Sequence, residues 1–175
     1  MVELNPLIHT PVADTDVVAR VPQCQAVLYE DMHKYPTLDS LLRPPKKILI
    51  LYELAKVGHF CCLFYNTEGL QFFDPLGGKP DSELDHLSNP YWKSKWQDYP
   101  YLVRLLVQSQ EPVIYSPYHL QAHHTSTCGC WSAIRMIYSD LLCDEFAHCF
   151  DYVRNRDIAV ARLYYDLPIR KPMDA

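Results

Sequence analysis

The sequence predicts one domain that combines β-strands with α-helices, and three observations carry that reading. Short apolar runs of strand length, Ile48–Leu54, Phe60–Tyr65 and Leu70–Phe73, follow one another in the middle of the chain. Segments with helical spacing lie beyond them: Tyr99–Gln110 sets Leu102, Leu105 and Leu106 on one side, and Cys128–Leu142 repeats Trp131, Ile134, Tyr138 and Leu141. At 175 residues, 49% of them hydrophobic, the chain can build one real core and has little room for two.

In chain order, residues 1–23 hold three prolines and no clear period, and are expected to form a loosely structured lead-in. A short helix over Thr37–Leu42 is stopped by Pro44-Pro45. Ile48–Leu54 is a buried strand. Gly58-His59-Phe60 opens a second run that is apolar on both faces, as an interior strand is. Asn66-Thr67-Glu68-Gly69 is a turn. The third strand, Leu70–Phe73, ends at Asp74-Pro75-Leu76-Gly77-Gly78, where proline and glycine close the ladder. Residues 79–98 are polar around Trp92 and Trp96, which read as packing residues or, together with Tyr99 and Tyr101, as an aromatic lip for an extended substrate. Val113–Tyr115 is a short strand between Pro112 and Pro117, residues 144–165 carry a further helical pattern, and 168–175 is an expected frayed tail.

A net charge of −5 argues against a nucleic-acid surface, which needs a basic stripe. Neither an apolar stretch long enough to span a bilayer nor a secretory leader pattern is present. Seven irregularly spaced cysteines then read as reduced thiols in an intracellular compartment.

Chemistry concentrates at residues 119–133. Ser126 and Thr127 are N-cap residue types immediately before the apolar-periodic segment, which places Cys128 at a helix start. Unpaired N–H groups and the helix dipole favour negative charge there, and so the nucleophilic thiolate. A cysteine nucleophile needs a base and a group to orient that base. The hairpin supplies both. With an even-numbered loop anywhere within Asn66–Gly69, the residue opposite His59 is Asp74, Leu76 or Gly78, and in each case His59 and Asp74 share a face. Opposed or diagonal neighbours lie about 5–8 Å apart, within reach of a carboxylate–imidazole bond. An odd loop would separate them.

Gly58-His59-Phe60, Phe73-Asp74-Pro75-Leu76-Gly77, and Gln121 seven residues before Cys128-Gly129 resemble the adenovirus maturation protease (adenain) family, whose clan includes the SUMO-specific and other ubiquitin-like-protein proteases. The resemblance covers about residues 48–142. It implies an α+β fold with a mixed β-sheet packed against helices and the catalytic cysteine at the N-terminus of a central helix. It implies Cys128 as nucleophile, His59 as general base and then acid, and Asp74 as the group that orients His59. Gln121 and the Cys128 N–H would form the oxyanion hole. It further implies protein substrates, cut as structural precursors during particle maturation, in the cytoplasm or nucleus of a host cell or in a virion. The acid is Asp where adenain has Glu, and Phe60 stands where adenain has Trp. The acidic charge gives no support for activation by DNA, and no cysteine is placed for an activating peptide.

Three other readings stand beside this one. A ubiquitin-like-protein isopeptidase and an effector-type acetyltransferase share the residue order. A zinc-stabilised binding module would use His119, His123, His124, Cys128 and Cys130, although the paired spacing of a closed zinc site is incomplete. The favoured reading calls for no cofactor and no metal. Cys130 is the rival nucleophile, and Cys24, Cys61, Cys62, Cys143 and Cys149 are expected to be core or incidental.

Overall fold

A computed structural model describes residues 5–54, 57–86 and 99–170; Trp92 and Trp96 lie outside them. The expected combination of strands and helices is present as an α+β fold around one five-stranded mixed sheet. The strands are β1 (Cys24–Leu28), β2 (Lys47–Leu54), β3 (Val57–Asn66), β4 (Gly69–Phe73) and β5 (Val113–Tyr115), ordered as in the chain. β2, β3 and β4 form an antiparallel meander, and β1 and β5 add parallel to its two sides.

β3 is the middle strand, so both its faces are covered, which is why its sequence is apolar at successive positions. Phe60, Cys62 and Phe64 enter the core on one face, and Cys61 and Leu63 the core on the other. The first core is closed by α2 (Asp14–Arg20), α5 (Cys128–Ile137), α6 (Cys143–His148) and α7 (Arg156–Asp166). The second is closed by the 3₁₀ turn Tyr29–Lys34, by α3 (Leu38–Leu41) and by α4 (Tyr101–Ser109). α3 begins on a capping box between Thr37 and Ser40. Among the described residues no helix is long and apolar enough to cross a membrane.

The lead-in departs from the expected loose segment. Its described part forms α1 (Pro6–His9) and α2. Pro6 occupies the first turn of α1, where its missing N–H costs nothing, and the Asn5 side chain accepts from Leu7 N–H. Val17 and Val21, four apart, are buried in the core beside α5. Two apolar positions are too few to show a period, and three prolines masked them. β1 carries no apolar run in the sequence, because only Val27 of its five residues is fully buried.

α5 stops at Ile137 rather than Leu142, and Tyr138, expected on the buried side, is exposed. The reason is Arg135. Its guanidinium donates to the carbonyls of Tyr138 (2.9 Å) and Leu141 (3.1 Å), so these oxygens bond a side chain as the chain turns away. The pattern over 144–165 resolves into two helices, α6 and α7, with a turn between them.

Candidate active site

The hairpin connection between β3 and β4 is an even one. Asn66 pairs with Gly69 across Thr67-Glu68, and the ladder runs to Cys62 opposite Phe73. Continued by the same register, Asp74 falls opposite Cys61 and Leu76 opposite His59, so His59 and Asp74 are diagonal neighbours on one face. Their side chains meet: His59 Nε2 lies 2.8 Å from Asp74 Oδ1, with both residues buried. Asp74 Oδ1 also accepts from Leu76 N–H at 2.8 Å, which fixes the carboxylate against its own turn.

That turn is closed by Gly77 N–H donating to the Asp74 carbonyl at 2.9 Å. Gly77 has φ +78°, and an added Cβ would lie 2.9 Å from the Pro117 carbonyl, so the position requires glycine for its dihedral and for the close approach. Past it, the Pro75 carbonyl accepts from the N–H groups of Leu120 (2.9 Å) and Gln121 (3.0 Å). The turn that carries the acid therefore also positions Gln121.

Cys128 is the first residue of α5 and is 6% exposed. Its Sγ lies 4.0 Å from the Gly58 carbonyl, next to His59, and its thiol interacts with the His59 ring. With Nε2 on Asp74, Nδ1 is the nitrogen left to serve the sulfur. Thr127 occupies the N-cap position but does not cap the helix with its side chain as expected: its hydroxyl donates to Asp157. The N-terminal N–H groups of α5, which have no intrahelical partner, remain the electropositive element there.

The electrostatics of His59 are a contest. Burial opposes the charged ring, while Cys61, Asp74 and Cys128 favour it and prevail, so its pKa stands well above the ordinary 6.5. Cys61 is itself pushed far up, chiefly by burial. Cys130 is likewise pushed up to about 12, chiefly by burial, and does not line the cleft that Cys128 lines, which leaves it without the access a reactive thiol needs.

His59, Gln121 and Cys128 line one cleft of about 550 Å³. Gln121 Nε2 donates to the Thr125 carbonyl at 2.9 Å, which occupies one of its two N–H donors, and Oε1 is buried with no partner among the described residues. The cleft's other wall is Pro11–Asp14 from the supposedly loose lead-in. Val12 reaches Gly129, where an added Cβ would lie 2.3 Å from Val12 Cγ2 and 3.2 Å from Phe60 Cδ2. Gly129→Ala is therefore expected to destabilise by about 1–3 kcal/mol through overpacking. Adding Val12→Ala should recover part of the loss, which a double-mutant cycle on denaturant midpoints would register as coupling.

No protein-family model matches the chain. Over 133 residues it is 34% identical to the Sputnik virophage protein described as "Uncharacterized protein V9", a match that spans 74% of this chain and 76% of the relative. The chain belongs to the V9 family.

Two further groups of this V9-family protein belong to the site. Glu83 places Oε1 3.9 Å from His59 Nε2 and lines the cleft; it comes from the polar stretch after Gly78, where no pattern marks it. Cys61, expected to be core or incidental, lies in the core and also offers its sulfur within 4.8 Å of the ligand atoms of His59 and Asp74, a buried trio of metal-ligating types. Period-two alternation along β3 is the signal that could have put it on the face of His59. The residues of the zinc alternative are not brought together among the described residues: His119 and His123 stack edge-to-face at 4.4 Å, and Cys130 points into the core. Tyr101 packs against Tyr29 and Tyr99, and Tyr99 is half exposed.

Proposed function

We propose that the protein is an adenain-like cysteine endopeptidase that cuts structural precursor proteins during virus particle maturation. The observation that carries this reading is the meeting, in one cleft, of a helix-start cysteine with an imidazole whose far nitrogen is bonded to a buried carboxylate. The viral origin of the V9 relative agrees with the setting.

In this reading His59 holds the proton of Cys128, and the thiolate attacks the scissile carbonyl carbon. An S–C bond forms and the carbonyl π pair moves to oxygen. The free N–H of Gln121 Nε2 and the Cys128 N–H receive that charge. Collapse breaks the C–N bond as His59 Nδ1 gives its proton to the departing amine. Water, deprotonated by His59, then releases the acyl group and restores the thiol. Asp74 keeps Nε2 protonated throughout, so that Nδ1 is the nitrogen that exchanges protons.

The test is to incubate wild-type protein and Cys128→Ala with virion precursor proteins and to read new N-termini by mass spectrometry. Discrete new termini that follow small residues such as glycine, made only by the wild type, are expected. Identical terminus lists from the two proteins would overturn the proposal. Rapid turnover of a ubiquitin, SUMO or NEDD8 fluorogenic substrate would move the substrate class to ubiquitin-like proteins.

A further inference from the structure

The mechanism above leaves two buried carboxylates unused, Asp81 and Asp157, and the second stands beside the site. Asp157, in the first turn of α7, is 5% exposed. Four donors converge on it. Oδ2 accepts from Ala122 N–H at 3.0 Å; Oδ1 accepts from Trp131 Nε1 at 3.0 Å, from Thr127 Oγ1, and from Thr125 Oγ1 at 3.2 Å through a proton shared with the Ala122 carbonyl at 2.8 Å. Each of these donors is one or a few residues from a group of the site. Ala122 follows Gln121. Thr125 supplies the carbonyl that holds Gln121 Nε2. Thr127 precedes Cys128, and Trp131 lies on the next turn of α5.

We infer that Asp157 is the positioning residue of the oxyanion hole, an anionic clamp that holds the loop between Gln121 and Cys128 so that both donors face one oxygen. The inference rests on the hydrolase reading. Loops carry many backbone groups and few apolar anchors, so a loop that must be accurate needs such a clamp. A carboxylate suits it because the partners are all donors. Asparagine offers one acceptor oxygen and puts two N–H groups where donors already stand.

The test combines Asp157→Asn with Gln121→Ala, singly and together, in the full chain. One readout is cleavage of the peptide mapped by the N-terminus experiment. Another is affinity for a peptide aldehyde, to which Cys128 adds: an S–C bond forms, the carbonyl π pair becomes an oxyanion, and the proton stays on His59. The third is alkylation of Cys128 by iodoacetamide, which creates no oxyanion.

Each single variant is expected to lower kcat by about 10²-fold and to weaken aldehyde binding, with KM and alkylation unchanged. The double variant should lose far less than the product of the two single losses, because Asp157→Asn already misplaces the donor that Gln121→Ala deletes. Losses that multiply, or an equal fall in alkylation, would overturn the positioning role and leave the hydrolase reading intact. A wild type that neither cleaves nor binds the aldehyde would overturn both. Should Asp157→Asn fail to fold, Thr125→Val removes one of the four bonds, and its loss of activity should likewise vanish in the Gln121→Ala background.

Discussion

Cys128→Ala is expected to abolish cleavage, with a fall on the order of 10⁶-fold in kcat, while the protein stays folded. The size follows from the kind of group removed. Without the nucleophile no covalent path remains, and what survives is the modest acceleration that binding and the oxyanion donors give to attack by water. The fold should persist because the change deletes one sulfur at a helix start, where alanine is a good helix former. Its stability cost should be about 1 kcal/mol. Circular dichroism and a denaturant midpoint check the fold, and the precursor digest checks activity. Cys130→Ala supplies the contrast: Cys128 lines the cleft and Cys130 does not, so the Cys130 variant should lose some stability and keep its chemistry. An active Cys128→Ala protein would remove the nucleophile from the proposal.

Asp74→Asn is the second large effect, about 10²–10⁴-fold in kcat, the upper end being the cost of the equivalent change in a serine-protease triad. The amide can present an N–H to Nε2, which then favours the wrong tautomer. Its pH signature has a definite sign. In the folded protein His59 is raised above its ordinary 6.5, with burial opposing and Asp74 and Cys128 among the groups that favour the charged ring. A group raised by folding contributes stability that is complete below its unfolded pKa and is lost as pH rises through the folded one. Removing the carboxylate lowers that folded pKa, so the stability supplied by the charged ring should disappear at a lower pH than in the wild type. The alkaline limb of the activity profile, where the imidazolium is lost, should shift down in the same direction. Midpoints measured across pH for both proteins would show it; an unshifted alkaline limb would mean that Asp74 does not act on His59.

The parts of this site that were legible obey periodicities. An even-length turn and the alternation of side chains along β3 and β4 place His59 and Asp74 together without any knowledge of the rest of the chain. Cys128 was legible as a helix start because polar residues give way to an apolar repeat of helical period. What was hidden depends on contacts distant in sequence. Asp157 meets Ala122, Thr125, Thr127 and Trp131 only because α7 packs beside α5. Thr127 has the composition of a helix cap, yet tertiary structure gives its hydroxyl a carboxylate instead. The wall formed by Pro11–Asp14 has no pattern of its own, since a segment leading into α2 and held by neighbours such as Gly129 needs none. Arg135 ends α5 through its reach to two later carbonyls, an effect no helical repeat encodes.

The union of an imidazole from the sheet with a sulfur from a helix is tested most directly by titrating the His59 ring, followed by its NMR shifts in wild type and in Cys128→Ala. The expected midpoint lies above 6.5 in the wild type and moves down when the sulfur is removed, because the Cys128 side chain is one of the contacts that favour the charged ring. A midpoint at or below 6.5 that ignores the substitution would mean that the two groups do not act together.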